Sequence, residues 1–566
     1  MSSASDALAE LCGRYWTLHC EEFPAEAIAA SQPVAHDELL RESPADHARR
    51  AQAAGGMLAE LQAIAPTALA PGERITHAML QRDLQTLVES FALRAHLRPS
   101  LYPMGPDFLL GYVAGMVALR TEADARRWLA RLRSVPGGLQ GIVAALEAGR
   151  AAGLRLPALV LERAAAQAAA LAAMPAAQHP LHAPFVRSAG RFPALEREAL
   201  QVIETQAAPA LLAYAEYIGG PLKAASRPTL RCTDDPDGPA LYRLFIRMNT
   251  TLDLDPADVH QLGWAEIERI RARMAEVASS AGHGQDLDAY RAALRRDPTQ
   301  FAAGAEALRE QMEVLSKRID GRLPEFFGHL PRSTYAVRLI PPPLAEKLPP
   351  AYAQPNPADN TGPGVHWVTS LPDRLPRYMQ LPLALHEAWP GHLMHIALMQ
   401  ELDGLPDFRR HGAMGYSACL EGWALYCERL GEEMGLYDTP DRLYGRLEME
   451  MWRALRLVVD TGIHALGWSR EQAIALMERH MAMPRPTIEA EVDRYVGMPA
   501  QALAYQIGNR KFCELRERAE LRLGERFDRR AFHDALMAAG PVTLDVLDDC
   551  IEDWIAQQAG RAVQAA

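Results

Sequence analysis

Residues 381–400 read LPLALHEAWPGHLMHIALMQ. Leu, Ala and Met fill most of this run and favour helix, so it reads as a buried helical segment in a mostly helical chain. Within the apolar frame His386, Glu387, His392 and His395 are the chemical exceptions, and Pro390-Gly391 is the interruption. In zinc peptidases with H-E-x-x-H, two histidines four apart share one helix face and the Glu after the first acts as general base. Here the candidate pair is six apart. On an unbroken helix six residues turn through about 600° and rise about 9 Å, so the two rings would diverge. Pro390 offers no N–H to the carbonyl of His386, and Gly391 can take dihedrals that other residues avoid. A bulge there that absorbs two residues would bring His386 and His392 to one side, with Glu387 facing the attacking water. The plainer alternative is a helix stopped by Pro-Gly, with its histidines packed or solvated. Glu387 has no packing reason to stand in a leucine-rich helix, which favours the metal reading. His395, three residues after His392, lines the site or packs.

A hydrolytic zinc site takes three protein ligands and leaves one position open. The best third ligand is Glu421, which opens EGWALYCE at 421–428. Glu421, Leu425 and Glu428 share one face at helical spacing, and Glu428 is placed to orient a histidine. Further on, WRALRLVVDTGIH at 452–464 sets Arg456, Asp460 and His464 four apart. That stripe is either a salt-bridge ladder or a way of presenting His464, held by Asp460, to an oxyanion. Arg494, Tyr495 and Tyr505 add two phenols that can donate to such an oxyanion and a cation that can grip a substrate carboxylate. Cys419 and Cys427 have no adjacent cation and read as inert core thiols. No glycine-rich phosphate loop or dinucleotide fingerprint follows a strand, which argues against a phosphotransferase or dehydrogenase.

Helical composition extends over residues 5–30, 44–65, 73–95, 122–134, 136–151, 157–173 and 194–219. The run from Gly219 to Pro239 is rich in Pro, Gly and Asp and is the best boundary, dividing the chain into an N-terminal helical lobe, 1–235, and a catalytic helical lobe, 236–566. Asp255-Pro256 starts a helix with an N-cap and a proline at its first position. Strand signals are confined to Thr334–Ile340 and Val365–Ser370, either side of a proline-rich stretch. They predict a small sheet near the site, where an extended peptide can add as a strand.

The 566 residues are 49% hydrophobic and 23% charged, with a formal net charge of −12. That supports a large core and argues against a nucleic-acid partner, whose phosphates call for clustered cations. Seven scattered cysteines without C-x-x-C spacing suit a reducing compartment, and the N-terminus shows no secretory pattern, so a cytoplasmic location is expected. Phe108–Leu119, FLLGYVAGMVAL, is too short for a membrane span and reads as a buried helix.

These segments together resemble the bacterial family catalogued as domain of unknown function 885, similar in style to thimet oligopeptidase and carboxypeptidase Taq. The resemblance rests on TTLDLDPADVHQLG at 250–263, IPPPLAEKLPPAY at 340–352, HEAWPGH, EGWALYCE, WRALRLVVDTGIH and PAQALAYQIG in that order. HEAWPGH with EGWALY is the specific pair. The resemblance implies one zinc ion held by His386, His392 and Glu421, Glu387 as base, and His464, Arg494, Tyr495 and Tyr505 as polar groups near the site. Two departures bear on substrate contacts: the loop DNTGPGVHWVTS at 359–370, which carries His366, differs from the family's D-G-S-R-P-G run, and His395 stands where glutamine is more usual.

The resulting expectation is a predominantly α-helical, metallopeptidase-like fold with two lobes around a groove and a small sheet near the site. Its activity would be zinc-dependent hydrolysis of amide bonds in short peptides. Glu387 would act as base, His464 and a tyrosine would stabilise the oxyanion, and Arg494, His395 and His366 would contact substrate. The alternatives are an amidase or deacylase acting on a peptide-like metabolite, and a helical binding protein with a structural four-ligand metal site. Neither nucleic acid nor membrane is an expected partner, and the oligomeric state is left open.

Overall fold

In the computed structural model, residues 3–346, 348–358, 360–412 and 415–565 are described. The chain is predominantly helical, with one three-stranded sheet among the described residues. The sheet comprises β1 (Tyr335–Leu339), β2 (Ala351–Gln354) and β3 (Gly364–Val368), in the order β1-β3-β2. β3 is central, parallel to β1 and antiparallel to β2, and His366 sits opposite Val337 and Ala353. The two strands expected from sequence are present. β2 was hidden because four residues among prolines carry too little alternation to register. Lys347, in the proline-rich stretch, and Asp359, which opens the 359–370 loop, lie outside the described residues.

Local sequence accounts for most helix starts. Ser3, Ser43 and Thr121 each accept the N–H of an Asp three residues on, whose carboxylate reaches back to the cap. Asp255 accepts the N–H of Ala257 and starts the helix Pro256–Ser280 as expected. One reading changes: 122–134 and 136–151 form a single helix, Glu122–Ala151, that runs through Pro136. Buried Leu132, Val135 and Leu139 hold the two halves in one packed stripe, which outweighs the one backbone bond proline removes.

Close helix contacts position the site. Helix Ser417–Glu433 meets helix Ala504–Leu523 at Gly422 and Gly508, where a Cβ on Gly422 would come within 2.4 Å of the Gly508 backbone. Only a missing side chain at both positions lets the two backbones approach so closely. Helix Pro440–His464 runs through the interior, bounded by helix Pro256–Ser280 at Gly263 and by helix Arg377–Glu387 at Gly445. The hydrophobic core is continuous from Leu8 to Ile555 and crosses the expected 235/236 boundary. Polar ties also cross it: Tyr416 donates to Asp83 at 2.8 Å, Ser100 to the Gly497 carbonyl at 3.2 Å, and Arg163 to Asp493 at 3.0 Å. No helix among the described residues is long and apolar enough to cross a membrane.

Candidate metal centre

The segment quoted first is two helices, Arg377–Glu387 and His392–Gln400, with a four-residue break between them. The expected bulge in one continuous helix is therefore replaced by a full break. The chain folds back so tightly that a Cβ on Gly391 would lie 1.9 Å from the carbonyl oxygen of His386. Trp423 Nε1 donates to the Pro390 carbonyl at 2.9 Å and ties the break to helix Ser417–Glu433.

The break brings the two histidines together. Their ring centroids are 4.7 Å apart, nearly perpendicular, and the Nε2 atoms of both lie 3.3 Å from a single oxygen, Glu421 Oε2. That oxygen is buried without a hydrogen-bond partner. The ligand atoms of His386, His392 and Glu421 all fall within 4.8 Å of one another. Two imidazole nitrogens converging on one unpaired carboxylate oxygen form a donor set that fits a borderline divalent ion such as zinc.

His386 Nδ1 donates to Glu428 Oε1 at 2.8 Å, and Arg453 Nη2 stands 3.4 Å from the same oxygen. Glu421 and Glu428, two turns apart on one helix, thus grip opposite sides of one imidazole. Burial opposes charge on His386, yet the neighbouring Glu421 and Glu428 carboxylates lift it to about 9. Burial likewise opposes charge on Glu421, but His392 and His386 hold its carboxyl well below the usual range. Glu387, half-buried at the end of the first helix, is pushed upward, first by burial and then by Glu421, against the pull of His386 and His392. A raised carboxyl beside a cation site has the character of a proton-transfer group.

Tyr505 feels the charge of Glu421. Burial and then Glu421 raise its phenol above the ordinary value, so it keeps its proton, and the Arg456 guanidinium sits 4.2 Å from its ring centroid. Tyr495 has a different place: its hydroxyl donates to Glu491 at 2.7 Å and accepts from Trp452 at 3.1 Å and Arg456 at 3.0 Å, which uses its capacity. Arg494 is bound to Glu491 at 3.0 Å and to Gln501 at 2.6 Å. Against burial, Arg494 and Arg456 hold Glu491 down to about 2.

Besides Tyr495 and Arg494, four residues singled out in the sequence take other places: His464, Asp460, His395 and His366. His464 is a fully buried core residue: its Nδ1 accepts the Cys232 N–H at 3.3 Å and its Nε2 donates to the Tyr495 carbonyl at 2.9 Å, leaving nothing for an oxyanion. Asp460 does not hold it, because Asp460 accepts instead from Tyr242 at 2.6 Å and from the Ala500 N–H. His395 and His366 are also buried away from solvent, His395 with its ring against Trp423 and His366 on the central strand. Burial lowers them to about 3 and about 4, so both are neutral packing residues rather than surface contacts for a substrate. Sequence reasoning missed Arg453. Two arginines three apart in the apolar run WRALR were the available signal, since a charge in a buried face needs a partner.

Gln501 also lines a cavity of about 390 Å³ between the N-terminal helices and the 496–501 turn, walled by Phe91, Leu241, Phe245 and Met248 with Arg98 among its polar groups.

The family described as "Bacterial protein of unknown function (DUF885)" matches residues 24–551. A crystal structure of a lipoprotein candidate from Colwellia psychrerythraea superposes with a TM-score of 0.92 at 24% identity, covering 98% of this chain and 100% of that one. A lipoprotein candidate of unknown function from Shewanella oneidensis gives 0.74 at 18% identity, covering 97% and 99%. Both likenesses concern the fold. No curated protein matches the chain.

Proposed function

We propose that this chain, which belongs to the DUF885 family of bacterial proteins of unknown function, is a metal-dependent hydrolase that cleaves amide bonds in short peptides. The observation that carries this reading is the placement of His386 Nε2 and His392 Nε2 at 3.3 Å from the same unpaired Glu421 oxygen. Among the described residues the cluster has three candidate ligands, a number that suits a catalytic site with an open position better than a structural one. His386, His392 and Glu421 would hold the ion, zinc by the chemistry of the donors. When bound, it supplies Lewis acidity that polarises a carbonyl and acidifies water.

The chain's own groups account for the proton traffic. Glu387 takes a proton from the attacking water as the new C–O bond forms, then passes it to the amine nitrogen as the C–N bond breaks. Water is thereby divided between the new carboxylate and the released amine. Tyr505, which keeps its proton under the influence of burial and the Glu421 charge, would donate to the oxygen that becomes negative. Glu428 and Arg453 fix the His386 ring, and with it the tautomer that presents Nε2. Seven unpaired thiols favour a reducing compartment for this activity.

The test is metal analysis of the purified protein with turnover of mixed short peptides before and after chelation. Activity that vanishes with chelation and returns with zinc is the expected result. Undiminished turnover in thoroughly stripped protein would remove the proposal.

A further inference from the structure

The cavity of about 390 Å³ lies where the N-terminal helices meet the 496–501 turn, and its described lining residues include none of His386, Glu387, His392 and Glu421. It falls within the roughly 300–1,000 Å³ range of small-molecule sites, with room for on the order of ten non-hydrogen atoms. Part of its wall is apolar. Phe91, Phe245, Met248 and Met498 line it and are only half-buried, so they offer apolar surface that the chain itself does not cover.

Another part of the wall is basic: His47, Arg50, His96 and Arg98 all line the cavity. The His96 ring stacks on Phe91 at 4.8 Å and lies 4.8 Å from the His47 ring. Burial lowers His96 to about 4, and His47, Arg50 and Arg98 push it the same way against the pull of Glu42, so three basic groups bear on one neutral ring. The carboxylates at hand are engaged. Glu22 and Glu42 stand 3.4 Å and 3.3 Å from Arg50, and Asp235, itself on the wall, stands 2.7 Å from Arg227 and 3.7 Å from Arg98. Arg98 is 7% exposed and donates Nη1 to the Pro236 carbonyl at 3.1 Å and Nη2 to the Leu93 carbonyl at 2.8 Å, which fixes its guanidinium. Arg98 Nε and His96 Nδ1 remain, both buried with no hydrogen-bond partner. Two unpaired polar atoms, two residues apart on a cavity wall, are costly unless something other than the chain completes them.

We infer that this cavity is a ligand site separate from the metal centre, for a small carboxylic acid with an apolar or aromatic body. The carboxylate lies at the His96–Arg98 end and accepts from Arg98 and from His96 in the tautomer with its proton on Nδ1, while the body covers Phe91, Phe245 and Met248. A neutral apolar molecule would leave the two polar atoms unpaired, and inorganic phosphate would leave the apolar wall bare. The site does not depend on the hydrolase reading. Its wall joins helices Pro71–Ala92 and Gly238–Thr250 to the turn whose Gln501 accepts from Arg494 at 2.6 Å, so a bound acid bridges these segments and stabilises the folded chain.

The experiment uses the full-length native protein and three probes, phenylbutyrate, its neutral amide and inorganic phosphate, with affinities measured by calorimetry. The acid is expected to bind about ten- to a hundredfold more tightly than the amide, the range of a charge-assisted hydrogen bond, and phosphate more weakly than either. The acid's affinity should be the same before and after metal is removed by chelation and dialysis. Arg98→Gln should erase the acid's advantage over the amide. Leu87→Trp, which fills the cavity from its half-buried wall, should remove binding of both. Equal binding of acid and amide, binding of neither, or phosphate bound as tightly as the acid overturns the inference, and these comparisons on the native chain stand even if Arg98→Gln fails to fold. Affinity that disappears with the metal would place the acid on the metal centre, and undiminished affinity in Leu87→Trp would place it outside the cavity. Either result overturns the inference and leaves the hydrolase reading untouched.

Discussion

His386 Nδ1 donates to Glu428 Oε1 across 2.8 Å, and through that bond a carboxylate outside the candidate metal cluster decides which nitrogen His386 presents to it. With Nδ1 committed, Nε2 is the atom left to face Glu421 and His392. The same Glu428 oxygen is steadied by Arg453, so the ring is aimed by a buried relay reaching into helix Pro440–His464.

Glu428→Ala should therefore weaken metal binding without abolishing it, by about ten- to a hundredfold, the usual effect of removing a group that orients a ligand. Glu421→Ala, which deletes a ligand atom, should leave no stoichiometric metal. Competition against a graded series of chelators separates the two. Equal affinities for Glu428→Ala and native protein would mean the 2.8 Å bond does not orient the ring.

Glu387→Gln should retain one equivalent of metal and lose turnover by about 10² to 10⁴, the share of rate that a positioned proton-transfer group supplies. The amide keeps the shape of the side chain and removes its basicity. Metal content and single-turnover rates on the same preparation check this, and retained turnover would reassign the base.

The residues of the candidate metal cluster were legible because each is a polar residue in an apolar run, where burial makes an unpaired charge costly: His386, His392 and Glu421 stand out against leucines. Glu428 was legible as an orienting group by helical spacing alone, since seven residues restore nearly the same face. The break at 388–391 was foreseen only as a bulge, because whether proline and glycine bend a helix or end it depends on contacts such as Trp423 to Pro390 that lie far along the chain. His464 was misplaced for the related reason that a four-residue stripe shows which side chains share a face and is silent on what that face meets. Its partners, Cys232 and Tyr495, come from two distant segments. Arg456 was visible in the same stripe, and only packing against Trp452 and Tyr505 sets it apart from a salt-bridge ladder.

His464 gives the fold an acid sensitivity with a definite sign. Burial lowers it to about 4 in the folded chain, whereas the unfolded chain should titrate near 6.5. Between those values the unfolded state binds the extra proton, so the neutral ring's contribution is intact above pH 6.5 and drains away as pH falls towards 4. At pH 5 the loss from this one group is about 2 kcal/mol. Urea unfolding at pH 7.5 and pH 5 should show a smaller acid loss in His464→Gln than in the native chain, from a lower starting stability. The acid limb of the activity profile should be the same in both, since the ring faces Cys232 and Tyr495 and not the metal centre. A shifted activity limb would return His464 to the chemistry.

Gly391→Ala tests whether the break itself builds the centre. The added Cβ would fall 1.9 Å from the His386 carbonyl and 2.4 Å from that of Leu385, and both are backbone atoms that cannot rotate aside. The chain would have to open between the two helices, which moves His392 away from His386 and Glu421. Overpacking of this kind costs about 1–3 kcal/mol in a core that can adjust, and backbone neighbours place this site at the upper end. The expected outcome is a lowered unfolding midpoint together with lost metal, the second effect exceeding what the first would cause by itself. Gly415→Ala is the control: no atom lies within 4 Å of the position its Cβ would take, and it should keep both stability and metal. If Gly391→Ala unfolds earlier yet binds metal as tightly as the native chain, the histidines meet for some reason other than the tight return of the chain at Pro390 and Gly391.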